Sequence, residues 1–340
     1  MSTETRTLAS SPAQSAAAEP PPHRMGIGAY VNCLRGVVWR EVLRFLHQRE
    51  RFLSALVRPL IWLFIFAAGF RQVLGVSIIP PYTTYVLYET FVTPGLVGMI
   101  LLFNAMQSSL SMVYDRETGA MRTLLVSPFP RSYLLVSKLS GGVFVAVLQA
   151  YVFLLVARIW ESWSWDTPLL ESFDREGLAG MLSALYENVA GTLFQFGNVD
   201  PAPLGYLTVL PALILSGLML GSIALFMSSV IKQLENFAGV MNFVIFPMFF
   251  MSSALYPIWR LRESSPLLAT LAELNPFTHA VELLRFSLYG QIGKQLEDGS
   301  IDLTHLYVVI GCTILFLGAA IFAYNPSKGL IARRGGPGGG

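Results

Sequence analysis

Six stretches of apolar residues, each about 20 residues long, alternate with shorter polar segments along the chain. No Asp or Glu lies inside any of these stretches. A helix of about 20 apolar residues is long enough to cross the hydrocarbon core of a bilayer. The pattern therefore predicts an all-α polytopic membrane protein with six transmembrane helices, over residues 52–70, 91–113, 139–159, 204–231, 237–257 and 303–324.

The composition agrees with a chain that lies mostly in lipid. Hydrophobic residues make up 54% of the 340 residues and charged residues 13%, whereas a soluble domain usually carries about 25% charged residues. The first residues are rich in Ser, Ala, Pro and Glu and lack the apolar core of a signal peptide. We expect a disordered tail over 1–29, one six-span membrane domain over 30–324, and a flexible tail over 325–340.

The distribution of Lys and Arg predicts the orientation. If the N-terminus is cytoplasmic, the inner segments are 1–58, 114–138, 231–236 and 325–340, and they hold 16 Lys and Arg against 7 acidic residues. The remainder of the chain holds 7 basic and 14 acidic residues. Because cytoplasmic loops are enriched in Lys and Arg, we expect a multi-pass protein of the cell inner membrane with both termini in the cytoplasm.

The sequence offers no energy source or catalytic motif of its own. Transporters driven by protons or sodium usually need carboxylates inside the membrane, and the six stretches have none. No phosphate-binding GxxxxGK[ST] motif, HExxH motif or CxxC pair is present, and Cys33 and Cys312 are isolated. We therefore expect a transport subunit that is not an enzyme, binds no cofactor or metal, and depends on an ATPase in another polypeptide. The net charge of +2 is too small to suggest nucleic acid as a partner.

One short polar segment, DRETGAMRTLLVSPFPRSYLLVSK at 115–138, separates the second and third stretches. Gly119 favours the end of the helix that leaves the membrane, and Pro128 ends the helix that follows. Between them, Met121, Leu124 and Leu125 have the i, i+3, i+4 spacing of one apolar helical face. The segment is either a docking helix for a cytoplasmic partner or an ordinary basic loop, and these residues alone leave both open.

Two further helices are predicted beside the membrane spans. In 38–51, Arg40, Arg44 and Arg51 share one face of a helix that is otherwise largely apolar, which is typical of an interfacial helix bordering anionic lipid. In 275–290, Asn275 suits the N-cap and Pro276 the first helical position, and Gly290 is a C-terminal stop. The residues that should be buried along this second helix are Phe277, Val281, Leu284 and Leu288.

Three segments resemble those of one family. The segment DRETGAMRTLLVSPFPRSYLLVSKL resembles the first cytoplasmic loop of type-2 ABC exporter permeases. KQLENFAGVMNFVIFPMFFMSSALYP at 232–257 resembles their fifth span, and NPFTHAVELLRFSLYG at 275–290 resembles the external helix before their last span. The similarity runs from about residue 30 to residue 324.

The resemblance implies a type-2 ABC exporter fold in which the 115–138 segment contains a coupling helix that docks on the ATPase. It identifies 38–51 with the N-terminal connecting helix, which also borders the ATPase. It further implies two copies of an ATP-binding subunit, which hold the ATP and Mg, and either a homodimer or pairing with a similar permease half. The coupling residues it implies are Glu117, Gly119, Met121, Arg122, Leu124, Leu125 and Pro128.

The expected function is export of an amphipathic cargo, such as a drug or a lipid-like molecule, because Phe, Met, Tyr and Leu dominate the predicted pathway. An alternative within the class is export of a glycan or lipid-linked saccharide. An alternative of another class is an ATP-independent channel or scaffold. The outer segment 160–203 is longer than the connection expected there, and it could lie on the membrane, cover the exit, contact a partner or be a lineage-specific addition.

The orientation can be tested by cysteine labelling in a background that lacks Cys33 and Cys312. A single cysteine at Ser172 should react with a membrane-impermeant reagent in intact cells, because the six-span pattern places it outside. A single cysteine at Ser127 should react only after the membrane is opened. Equal labelling of both positions in intact cells would contradict the six-span arrangement with a cytoplasmic N-terminus.

Overall fold

A computed structural model describes residues 26–47, 57–65, 88–118, 128–162, 202–231, 233–289 and 303–324. All regular structure in these residues is helical. In chain order the helices are α1 (Ile27–His47), α2 (57–65), α3 (Tyr88–Glu117), α4 (Arg131–Ser162), α5 (Ala202–Val230), α6 (Leu234–Phe250), α7 (Ile258–Ser264), α8 (Pro266–Leu274), α9 (Pro276–Tyr289) and α10 (Thr304–Ala323).

The prediction of an all-α membrane protein is confirmed. Among the described residues, four helices are long and apolar enough to cross a membrane, and they are α3, α4, α5 and α10. They correspond to four of the six predicted spans. Only part of the predicted first span, the helix α2, lies within the described residues, so the count of six spans stays a prediction. Residues 1–25 of the predicted N-terminal tail, the whole predicted C-terminal tail and most of the outer segment 160–203 also lie outside the described residues, whereas residues 27–29 already belong to α1.

Helix α5 is the centre of the bundle and packs against α3, α4, α9 and α10. It carries apolar residues around its whole circumference, which is typical of a buried helix. Gly217 and Gly221 lie on the face toward α4, where an added Cβ would come within 3.1 Å of Val143 and 2.3 Å of Leu139, respectively. This GxxxG pair therefore serves close packing within the chain. Helix α10 contrasts with α5, because few of its apolar side chains are buried and several large ones, such as Phe322, are exposed.

The predicted fifth span, 237–257, is shorter in the structure than in the sequence pattern. Helix α6 ends at Phe250, after Pro247 in its last turn, and residues 251–256 form a turn. The middle of this turn is buried and rests on α3, where Ala254 packs on Gly95. The apolar window did not reveal this break, because it continues beyond Phe250 through Met251, Ala254 and Leu255, with only the small Ser252 and Ser253 between them.

Asn275 holds the two helix ends that meet at this turn. Its Nδ2 donates to the carbonyl oxygens of Met248 and Met251 at 2.8 and 2.7 Å, and its Oδ1 accepts from the N–H of Phe277 at 3.0 Å. The side chain therefore caps the C-terminal end of α6 and the N-terminal end of α9 together. Gly290 lies outside the described residues.

Helix α9 lies inside the bundle, and the stripe predicted to be buried along it is confirmed. Phe277, Val281, Leu284 and Leu288 are all buried, against α3, α5 and α10. The same helix buries a charged residue that the apolar pattern did not reveal, Arg285, which is 3% exposed.

The guanidinium of Arg285 has partners from three parts of the chain. It pairs with Glu282 on its own helix. It donates to the carbonyl oxygens of Ser253, in the turn after α6, and Phe91, in α3, at 3.0 and 3.3 Å, and it lies 4.1 Å from the centre of the Phe91 ring. Arg285 and Asn275 thus fix the end of α6 to α3 and α9.

The contact between α3 and the turn after α6 predicts a steric effect at Gly95. In Gly95→Ala the new Cβ would lie 2.7 Å from the carbonyl oxygen and 2.8 Å from the Cα of Ala254, and this backbone has no rotamer with which to move away. We expect the free energy of unfolding to fall by about 1–3 kcal/mol, measured by denaturant unfolding in detergent micelles.

The matched control is Gly239→Ala in α6, where an added Cβ meets nothing within 4 Å. It should leave stability unchanged or raise it by up to about 1 kcal/mol, since Ala favours helix over Gly. Equal effects of the two substitutions would argue against the close contact.

Candidate functional site

One end of the bundle, called here the loop end, collects the ends of five helices around the connection 118–130. Helix α3 ends there, α4 begins, α5 ends, α6 begins and α10 ends. Of the seven residues predicted to form the coupling helix, Glu117 and Pro128 are described. Gly119, Met121, Arg122, Leu124 and Leu125 lie outside the described residues, so their role stays a prediction. The structure shows how the two ends of this connection are held.

A buried ion pair joins the two sides of the connection. The Nζ of Lys138, in the second turn of α4, lies 2.8 Å from Oδ2 of Asp115, near the end of α3. Only 7% of the Lys138 side chain and 19% of the Asp115 side chain are exposed. Because both charges are largely withdrawn from water, each depends on the other for compensation. The pair fixes the distance between the two helix ends from which the connection leaves.

The two residues after Asp115 bind neighbouring helices. A guanidinium N–H of Arg116 donates to the carbonyl oxygen of Ser228, in the last turn of α5, at 2.9 Å. The Oε1 of Glu117 accepts from the N–H of Leu234, the first residue of α6, at 2.8 Å. Both contacts suit the helix dipoles, because a cation meets a C-terminal end and a carboxylate meets an N-terminal end.

An aromatic cluster holds the other side of the connection to the start of α1. The Tyr30 ring meets the rings of Phe129 and Tyr133 edge to face, with centroids 5.3 and 5.0 Å apart. The Tyr133 hydroxyl donates to the carbonyl oxygen of Tyr30. Phe129 directly follows Pro128, so the cluster anchors the predicted coupling segment where it returns to the bundle.

Helix α1 continues alongside the first turns of α4 from this cluster. Val42 and Phe45 are buried against Val145, while Trp39 and Leu46 stay exposed. An exposed apolar face beside charged residues is typical of a helix that lies at a membrane surface.

The two described arginines of the predicted interfacial face share one carboxylate. Arg40 and Arg44 flank Glu41 at 3.2 and 3.7 Å. Arg51 lies outside the described residues.

The contacts of residues 115–117, Lys138 and the Tyr30 cluster, called here the clamp, join the connection 118–130 to the bundle. Within the described residues, the ends of the connection are tied to α1, α4, α5 and α6 by an ion pair, hydrogen bonds and ring contacts. A displacement applied to the connection would therefore act on four helices together. The described residues contain no group of three or more His, Cys, Asp or Glu that could hold a metal ion.

Sequence reasoning missed the residues that make this clamp, above all Asp115, Lys138 and Tyr30. A signal was present in the first two, because they carry opposite charges at the two borders between an apolar stretch and the loop. The aromatic cluster had no comparable signal, since Tyr30 is about 100 residues away from its partners in the sequence.

The sequence matches one protein family over most of its length. The model of the family described as ABC-2 type transporter matches residues 33–289. Among curated proteins, the putative transport permease ycf38 of Pyropia yezoensis is 24% identical over 285 residues, which cover 84% of this chain and 83% of that protein.

A bacterial relative adds a named transport class. The probable multidrug ABC transporter permease YbhR of Escherichia coli K12 is 27% identical over 219 residues, which cover 64% of this chain and 46% of that protein.

The buried ion pair predicts a strong effect of removing one partner. Lys138→Met should lower the free energy of unfolding by about 3–5 kcal/mol, because it leaves the Asp115 carboxylate buried without a counter-charge. Adding Asp115→Leu should recover much of the loss, as two apolar side chains need no compensation. The measurement is a double-mutant cycle by denaturant unfolding in detergent micelles.

The control for this cycle is Arg260→Met, at an exposed ion pair with Glu263 in α7. It should change stability by less than about 1 kcal/mol. Additive losses from the two substitutions at Lys138 and Asp115 would contradict their coupling.

Proposed function

The chain belongs to the ABC-2 type transporter family, and on that premise we propose that it is the membrane-spanning permease subunit of an ATP-binding cassette exporter. In this proposal it moves an amphipathic cargo, a drug or a lipid-like molecule, across the inner membrane. The ATP and Mg are bound by a separate ATPase subunit, present in two copies. The permease acts as a homodimer or with a similar half, and both of its termini are cytoplasmic.

The observation that carries this proposal is the clamp around the connection 118–130. A loop that receives force from a partner must be rigidly joined to the helices it is to move. The Asp115–Lys138 pair and the contacts of Arg116 and Glu117 supply this junction to α4, α5 and α6. The Tyr30 cluster extends it to α1.

The mechanism follows from this arrangement. An ATPase docked on the apolar face predicted for Met121, Leu124 and Leu125 would push or pull the ends of α3 and α4. The hydrogen bonds to Ser228 and Leu234 would transmit that movement to α5 and α6. A cargo path between these helices would then open alternately to either side, driven by binding and hydrolysis of ATP in the partner.

The amphipathic cargo is supported by the apolar composition of the spans and by a multidrug permease among the relatives. Export of a glycan or lipid-linked saccharide, and an ATP-independent channel or scaffold, are the competing outcomes of a functional test. Co-purification of an ATPase, followed by measurement of ATP hydrolysis with drugs, lipids or saccharides added, separates them. Stimulation of ATP hydrolysis by saccharides alone would mean that the cargo is a saccharide. If no ATPase co-purified with the permease, the exporter proposal would be contradicted.

The docking proposal predicts that Met121→Asp or Leu124→Asp leaves the protein in the membrane and separates it from its ATPase. A charge buried in an interface without a partner costs several kcal/mol. At a docking helix this cost weakens the binding between the permease and the ATPase. Membrane levels of the permease and the amount of co-purified ATPase are the two measurements.

The matched control is Thr123→Asp, which the helical spacing places away from the apolar face. It should retain the ATPase. Unchanged co-purification and transport in both the Met121 and the Leu124 variants would contradict docking at this helix.

A further inference from the structure

A small, partly open polar cleft of about 30 Å³ lies between α1, α3 and α4. Helix α3 contributes Asn104, Ser108 and Ser111, which share one face because they are spaced i, i+4 and i+7. Helix α1 contributes Glu41 and Arg44, and α4 contributes Gly142. A polar surface of this kind inside an apolar bundle needs either internal partners or an occupant that can form hydrogen bonds.

Hydrogen bonds within the protein satisfy only some of the polar groups that line the cleft. Asn104 donates to the carbonyl oxygen of Ile100 and to the side-chain oxygen of Gln149, and Ser111 donates to the carbonyl oxygen of Ser108. Gln149 is fully buried beside Asn104, and its Nε2 has no hydrogen-bond partner. Gln149 does not line the cleft, so the polar groups of α3 that are open to an occupant are those of Asn104, Ser108 and Ser111.

The shape of the cleft depends on Gly142. A Cβ at this position would lie 2.7 Å from the Oγ of Ser108. Any larger side chain would therefore fill the space between α3 and α4 where the serines line it. The glycine keeps this space open.

Among the described residues, the charges around Glu41 leave one positive charge in excess. Glu41 is shared by Arg40 and Arg44, and its 3.7 Å distance from Arg44 is longer than a hydrogen bond. Arg44 keeps about a third of its side chain exposed, with its N–H groups available. The nearby Lys138 is neutralised by Asp115. The available guanidinium fork suits a phosphate oxygen pair.

We propose that this cleft binds the headgroup of a hydroxylated anionic phospholipid of the phosphatidylglycerol type. The phosphate lies outside the cleft at the exposed part of Arg44, and a headgroup hydroxyl enters the cleft toward Ser111, Ser108 and Asn104. The exposed apolar face of α1, which includes Trp39, Leu43 and Leu46, takes the acyl chains. Basic pockets between membrane helices hold anionic headgroups by this combination of charge and hydrogen bonds. The site goes beyond the proposed exporter function, because it needs neither the ATPase nor transport of the lipid.

The test uses the full chain purified in a neutral detergent and exposed to equal amounts of phosphatidylglycerol and phosphatidylcholine with the same acyl chains. Native mass spectrometry counts the lipids that remain bound. The wild-type protein should retain phosphatidylglycerol roughly tenfold more than phosphatidylcholine. Gly142→Val, Ser111→Ala and Arg44→Gln should each remove most of this preference, by filling the cleft, deleting a hydroxyl and deleting the charge.

Two controls match these changes elsewhere in the chain. Gly311→Val introduces the same side chain in α10, where an added Cβ meets nothing within 4 Å. Arg260→Gln removes an exposed guanidinium in α7. Both should keep the wild-type preference. The thermal unfolding midpoint of every variant is recorded, and Ser111→Ala tests the site if Gly142→Val fails to fold.

Three results would overturn the proposal. The first is equal retention of the two lipids by the wild-type protein. The second is loss of preference in Arg44→Gln alone, with Ser111→Ala and Gly142→Val unchanged, since that describes general attraction to a basic surface. The third is binding of free glycerol 3-phosphate as tight as that of the lipid. None of these results bears on ATPase co-purification, so the exporter function is tested separately.

Discussion

The structure depends on one constraint, that a helix ending inside an apolar bundle must find hydrogen-bond partners for its last carbonyl groups. Helix α6 ends at Phe250 with the following turn buried, and water in a bilayer core cannot supply these partners. Asn275 and Arg285 supply them instead, through contacts with Met248, Met251 and Ser253. Because both side chains come from α9 or its cap, α6 and α9 form one structural unit even though 25 residues separate them.

Helix ends at both ends of the bundle receive polar side chains as partners, but the side chains differ between the two ends. At the loop end, charged side chains of α3 bind the terminal groups of α5 and α6 in accord with the helix dipoles. At the other end, a single buried guanidinium joins α9, α3 and the turn after α6. Helix α3 takes part in both junctions, and α5 packs against it between them. Movement of α3 along its axis would therefore affect contacts at both ends.

Much of this fold could be predicted from the sequence, because apolar length and helix-capping residues act locally. Four spans, the helix after Asn275 and its buried stripe all follow from such signals. The early end of α6 was not predicted, since residues 251–255 are all small or apolar and the partners of that end lie more than 20 residues away. At the loop end, the apolar face of the loop had a local signal, but the Lys138 and Tyr30 contacts depend on tertiary packing.

The burial of Asp115 and Lys138 bears on what the loop end does. An apolar pair of similar volume is often as stable as a buried ion pair or more so, so stability alone does not explain charges at this position. An ion pair does require one partner at one distance, and it resists sliding of α3 against α4 in a way that apolar side chains do not. This favours a junction that keeps a fixed register while the helices around it move. The proposed coupling through this loop would need such a register, because force applied between two freely sliding helices would not reach α5 and α6.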